Sequence, residues 1–179
     1  LQSYPILKHY DNFKEAILKL KPDIVSIATR TDIRSEIIDF CLSENISGIY
    51  CEKPFCSTYI QAESQIKQLI INKTKIAFGV IRRYSDSFRY CKSIVDEKKF
   101  GRLKKIEFFH KPDLLMWSLP HFIDLIIFFF SIKANDPLEV IAHSEHIPRH
   151  EKNIIYDDIL VSKFVIKSEN SNFQAIYCG

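Results

Sequence analysis

Through the first hundred residues, apolar positions alternate between short continuous runs and stripes at helical spacing. A short helical stretch spans Asn12 to Lys19 and is broken at Lys21-Pro22. Asp23 to Ala28 is a compact run rich in β-branched residues and bounded by turn formers, which predicts a strand buried on both faces. Ile33, Ile37, Ile38 and Cys41 then recur at helical spacing up to Glu44, with Asp32 placed to cap that helix. After a turn from Asn45 to Gly48, the pattern predicts a strand at Ile49 to Cys51 and a helix from about Thr58 to Asn72. A strand at Lys75 to Val80 and a helix from about Ser85 to Glu97 follow. This alternation with short connections argues for a parallel sheet with helices on both faces.

The pattern changes after Gly101. Leu103 to His110 alternates like a half-buried strand, and Leu119 to Phe130 is almost wholly apolar, with His121 and Asp124 inside it. A membrane span needs ~20 such residues, so this run predicts a buried core helix. Leu138 to His143, Ile159 to Lys167 and Phe173 to Tyr177 predict further strands, while His143, His146 and His150 fall in a polar, loop-like stretch. The expected fold class is α/β: a truncated Rossmann-type parallel sheet, then from near Gly101 part of an α+β domain with an open, mostly antiparallel sheet.

Composition narrows the function. With 25 basic against 22 acidic residues and a net charge of +3, interspersed along the whole length, nothing points to a nucleic-acid surface or a charged tail. The four glycines (Gly48, Gly79, Gly101, Gly179) lie too far apart for a dinucleotide fingerprint or a P-loop. The five cysteines are odd in number and lack zinc spacing, which suggests reduced thiols in a cytoplasmic protein. The opening residues carry no signal-peptide pattern, and a first residue other than Met suggests that the true start lies upstream.

In open parallel sheets ligands bind beyond the carboxyl ends of the strands. Three segments qualify: Thr29 to Arg34, Glu52 to Pro54, and Ile81 to Tyr84. Glu52-Lys53-Pro54 places an acid, a base and a rigid residue at such an end, and the proline restricts the direction of Lys53. The plain alternative is a surface turn with a solvated ion pair. Arg82 and Arg83 suit a phosphate or sugar hydroxyl, or else a solvated helix start. His121 and Asp124, three residues apart, share one face of an apolar helix, where burial requires that they pair or face a cavity. A metal at that pair lacks a third ligand at useful spacing, so no metal is expected.

Pro22 to Thr29, Cys51-Glu52-Lys53-Pro54, Gly79 to Tyr84, Lys99 to Ile106 and His121 to Leu125 together resemble the glucose–fructose oxidoreductase / inositol dehydrogenase (Gfo/Idh/MocA) family. The resemblance implies an NAD(P)-dependent oxidoreductase acting on a sugar, polyol or nucleotide sugar. Residues 1–100 would be an incomplete dinucleotide-binding Rossmann domain, without its first strand and Gly-rich loop. Residues 101–179 would be an incomplete α+β domain for substrate and oligomer contacts. The resemblance sets Ala28, Thr29, Arg30, Thr31, Arg34, Glu52, Lys53 and Arg82 on the cofactor, NAD or NADP. Lys53, Arg83, His121 and Asp124 would meet the substrate, with Lys53 and His121 as the catalytic pair. A histidine titrating near pH 7 suits removal of a hydroxyl proton as hydride leaves. Relatives assemble through their open sheets, so a homo-oligomer is expected, without nucleic-acid or membrane partners.

The chain departs from the family in several places. The usual Ala-Thr-Pro-Asn turn is Ala28 to Thr31, its following histidine is Arg34, and Trp117 stands where many members carry a catalytic aspartate. These changes keep open a non-catalytic relative that binds a ligand and acts as a regulator or interaction protein. An epimerase or hydrolase holding NAD tightly is a third class. The expectation is of an internal piece of a longer protein. Taken alone, the piece should bind dinucleotide poorly and leave a sheet edge or face exposed.

Overall fold

The computed structural model describes residues 8–151, 154–168 and 173–178. The chain divides into two compact units, Leu1–Gly79 and Val80–Gly179.

In the first unit, α1 (Phe13–Leu20) is capped by Asn12, whose side chain accepts from the Lys14 and Glu15 amides, and it ends at Lys21 in the left-handed region. Strands β1 (Ile24–Ile27), β2 (Gly48–Cys51) and β3 (Lys75–Phe78) alternate with α2 (Thr31–Ser43) and α3 (Tyr59–Ile71). The sheet is parallel in the order β1-β2-β3, with Ile24 opposite Gly48 and Gly48 opposite Lys75. Two right-handed crossovers that step the same way across a sheet must lay both helices on one face. A single core follows: Ile17 of α1, Ile37, Ile38 and Cys41 of α2, and Leu69 of α3 close over Ile27, Ile49 and Cys51.

Burial of β1 on both faces, and helices on both faces of the sheet, therefore do not hold within this unit. Ile24 is 69% exposed, and Ser26, Lys75 and Ala77 on the same face are also open. Among the described residues β1 pairs only with β2 and is a sheet edge. Asp32 is not the cap of α2 either. Arg30 occupies the N-cap and makes no side-chain capping bond, and the Asp32 carboxylate accepts from the Ile33 amide inside the first turn.

The second unit opens with a 3-10 helix (Ile81–Tyr84) and α4 (Asp86–Asp96), capped by Ser85. Then come β4 (Lys105–Phe109), β5 (Asp113–Leu114), α5 (Leu119–Phe130), β6 (Glu139–Glu151), β7 (Ile154–Ser168) and β8 (Phe173–Cys178). The sheet runs β4-β8-β7-β5, with β6 also on β7. β4 and β8 are parallel and the other pairs antiparallel. Leu119, Phe122 and Ile126 of α5 pack on Phe164, Ile166, Ala175 and Tyr177. The opposite side of α5 meets the 3-10 helix and α4, where Phe88 lies edge-on to Phe129. Those two helices pack with α5 in this unit, which begins at Val80.

The stretch carrying His143, His146 and His150 is strand, not loop: β6 pairs with β7 from Glu139 through Glu151, with one irregularity at His143/Ser144. Ala142 to His146 are exposed. With its side chains in the open, this stretch shows no apolar alternation to betray it, and its register with β7 is carried by backbone pairing.

Candidate functional site

In the first unit the chemistry gathers at the carboxyl ends of the strands. β2 stops at Cys51, whose carbonyl accepts from the Gly79 amide at 2.8 Å, while the Glu52 amide donates to Ile27 O at 3.0 Å. Pro54 has no amide with which to continue the ladder, and the Lys53–Pro54 peptide is cis. The chain turns away here, leaving main-chain carbonyls that need donors. Arg34 supplies them. Only 5% exposed, its guanidinium donates through Nη1 to Glu52 O at 2.8 Å and to Pro54 O, and through Nη2 to Thr29 O.

The Glu52 carboxylate is held from two sides. The Tyr50 hydroxyl donates to Oε1 at 3.0 Å, and the Lys53 amide donates to Oε2 at 3.3 Å. The bond to Glu52 pushes the Tyr50 phenol above its ordinary pKa. Gly79 presses on the same group: a Cβ there would stand 2.9 Å from Glu52 Oε2 and 3.1 Å from its Cα. Burial raises the Cys51 thiol, with Arg34 pulling the other way, and the thiol donates to Glu52 O at 3.4 Å.

Of the residues expected on the cofactor, Thr29, Arg34, Glu52 and the Lys53-Pro54 peptide are joined in this way. Ala28 and Arg30 are exposed beside them in the β1–α2 connection, Thr31 opens α2, and the Thr29 hydroxyl donates to Arg30 O at 3.2 Å. Tyr50 and Gly79 complete the arrangement. No sequence signal singled out Tyr50, and Gly79 entered only as the start of a motif.

The second unit holds a separate group on α5. His121, half-buried in the first turn, donates its amide to Ser118 O at 3.1 Å. One turn on, Asp124 is gripped by Arg83: Nε donates to Oδ2 at 2.8 Å, and Nη2 reaches Oδ1 and, at 3.3 Å, the Asp124 carbonyl. Asp124 raises the Arg83 pKa further. Arg82 lies over the Phe122 ring, 4.9 Å from its centroid. Arg82, Arg83, His121 and Asp124 are thus brought to one helix. Among the described residues no cluster of His, Cys, Asp and Glu could hold a metal ion, and no helix is long and apolar enough to cross a membrane.

Residues 2–79 match the model of an oxidoreductase family described as having an NAD-binding Rossmann fold, GFO_IDH_MocA. Over that stretch, the first unit of the chain, the sequence is similar to the NAD-binding domain of this family. An uncharacterized oxidoreductase of Schizosaccharomyces pombe is 25% identical over 105 residues, which is 59% of this chain and 28% of the relative. Myo-inositol 2-dehydrogenase from Lactobacillus plantarum shares the fold at 21% identity and a TM-score of 0.68, over 94% of this chain and 53% of that one. An oxidoreductase from Agrobacterium radiobacter, solved with NAD+, L-tartaric acid and magnesium, is 13% identical with a TM-score of 0.67, over 87% and 47%. The chain thus spans about half the length of these solved structures and less of the yeast relative.

NAD is the cofactor of the family's Rossmann fold. The strand-end residues fit part of it. The first turn of α2 opens at this edge without a side-chain cap from Arg30, which suits polar oxygens, and Glu52 and Lys53 offer an acceptor and a cation for ribose hydroxyls. No Gly-rich turn is present in these 179 residues for the pyrophosphate.

Proposed function

We propose that the whole protein is an NAD(P)-dependent oxidoreductase that moves a hydride to or from a hydroxyl-bearing or ketone carbon of a sugar, polyol or nucleotide sugar. The observation that carries this reading is the Glu52–Pro54 segment: an acid and a base on a braced turn at the carboxyl edge of a parallel sheet, within residues matched by an NAD-binding family. Residues 1–100 serve dinucleotide binding and residues 101–179 substrate and subunit contacts, in a cytoplasmic homo-oligomer.

The bound dinucleotide supplies the hydride acceptor or donor. Lys53 hydrogen-bonds the substrate hydroxyl and the nicotinamide ribose, and Glu52 sits on the nicotinamide side. Thr29 to Thr31 line the adenosine and pyrophosphate side, with Ala28 and Arg82 as further cofactor contacts. His121 takes the hydroxyl proton in oxidation and returns it in reduction. Arg83 and Asp124, as a pair, present a hydrogen-bonding surface to substrate hydroxyls.

The test is a fluorescence titration of the full-length protein with NADH and NADPH, wild type beside Lys53→Ala. Binding of one cofactor, weakened by the substitution, supports the reading and selects the cofactor. Absence of binding by either overturns it in favour of a ligand-binding regulator. A screen of polyols and sugars with His121→Ala as control then tests the substrate class.

A further inference from the structure

The resemblance sets Arg34 beside the cofactor, but its hydrogen bonds give it another task. We propose that Arg34 is a positioning residue: its buried guanidinium holds the main chain of Glu52–Pro54 against the end of β1 and so sets the direction of Glu52 and Lys53. This rests on the reading of Lys53 as a cofactor- and substrate-binding residue.

The geometry carries the inference. The segment after β2 leaves the ladder and contains a proline, so no strand neighbour can satisfy its carbonyls. All of Arg34's described acceptors are main-chain carbonyls: Glu52 O and Pro54 O on one side of Lys53-Pro54, and Thr29 O at the end of β1. A rigid planar fork spans such a set, whereas an ammonium on a flexible stem does not. Arg34 itself is fixed in the first turns of a 13-residue helix whose Ile37, Ile38 and Cys41 lie in the core. The brace therefore runs from the core through α2 to the turn. Glu52 and Lys53 hang from the peptide units it grips, and Tyr50 and Gly79 settle only the Glu52 carboxylate.

Two cysteines bracket the segment, and a third lies on α2. Cys51 and Cys56 are buried, and the Cys51 thiol bonds the same Glu52 carbonyl that Arg34 holds. Cys41 is buried among core residues and reports global opening.

The experiment compares wild type, Arg34→Lys and Arg34→Met in the full-length protein. Native-state labelling with a thiol reagent is read by mass spectrometry at each cysteine. The expected result is labelling of Cys51 and Cys56 faster by about tenfold in both variants with Cys41 unchanged, since a brace worth ~1.4 kcal/mol opens locally by that factor. Unchanged labelling at Cys51 and Cys56 overturns the proposal, as does equal acceleration at all three, which makes Arg34 a general stabiliser of the fold.

A second arm measures NADH affinity in a cycle with Lys53→Ala. Action through the segment predicts that Arg34→Met weakens binding about tenfold in wild type and less than about threefold once Lys53 is gone. A full loss in both backgrounds marks a direct cofactor contact and overturns the proposal. Should wild type bind no dinucleotide, the functional reading fails, and the labelling arm decides the brace by itself.

Discussion

Asp124 is a charge on a helix that is apolar on every side, and its fate depends on Arg83. The side chains are 10% and 27% exposed, and the pair is bidentate, with a further bond from Arg83 to the Asp124 carbonyl. Breaking a buried ion pair by removing one partner costs about 3–5 kcal/mol, and an exposed pair is worth under about 1 kcal/mol. Arg83 keeps access to water, so the expected costs fall between these limits. Asp124→Asn, which preserves one acceptor, should destabilise by about 2 kcal/mol. Arg83→Met, which leaves a covered carboxylate alone, should cost about 2–3 kcal/mol, and the double variant no more than the larger single. The coupling is then at least about 2 kcal/mol, read from urea unfolding followed by circular dichroism. Raising salt to ~0.5 M should remove less than about half of it, because the Asp124 side of the pair is covered. A coupling below about 0.5 kcal/mol would refute the reasoning and reduce the pair to a solvated contact.

Three further outcomes are expected. Gly79→Ala puts a Cβ 2.9 Å from Glu52 Oε2 and 3.1 Å from its Cα, so it should cost about 1–3 kcal/mol in thermal unfolding and weaken dinucleotide binding in the full-length protein. Burial pushes the Cys41 thiol from 9.0 up to about 11, so the unfolded chain ionises first: stability is complete below pH 9 and falls by about 2–3 kcal/mol as pH rises toward 11. Urea midpoints across that range should fall less steeply in Cys41→Ala, and equal slopes would contradict the assignment. Tyr177, stacked on Phe164 with centroids 5.2 Å apart, donates its hydroxyl to Lys111 O at 2.8 Å, and Tyr177→Phe should cost about 1–2 kcal/mol in the same assay.

What was legible in the sequence follows from which forces leave a periodic trace. The bounds of α5 read directly, because a helix buried between a sheet and other helices carries a run from Leu119 to Phe130 that is apolar but for His121 and Asp124. The strands of the parallel sheet were readable for their β-branched content, but their one-sided cover was not. Ile24 looks like a core residue in sequence, and only the direction of the two crossovers leaves its face open. β6 beyond His143 was invisible because its pairing with β7 runs through the backbone. In the strand-end group, Glu52 and Lys53 declared themselves by charge at the end of an apolar strand. Arg34 could be singled out, but not its direction toward carbonyls eighteen and twenty residues away. Tyr50 left no trace, since a tyrosine in a strand is ordinary until its hydroxyl is placed.

The close approach of Gly79 to Glu52 has a consequence for how such a sequence can drift. The glycine at the end of β3 and the acid at the end of β2 occupy one volume, so neither position is free to change alone. A larger residue at 79 requires that 52 give up its carboxylate, and with it the acceptor for Tyr50 and for the Lys53 amide, and also that the backbone yield at the 3.1 Å contact with the Cα of residue 52. Substitution at this corner is therefore ordered: the chemistry has to be surrendered before the packing can relax. As long as the acid is kept, selection acting on Glu52 also holds the glycine, although the glycine has no side chain with which to touch any ligand.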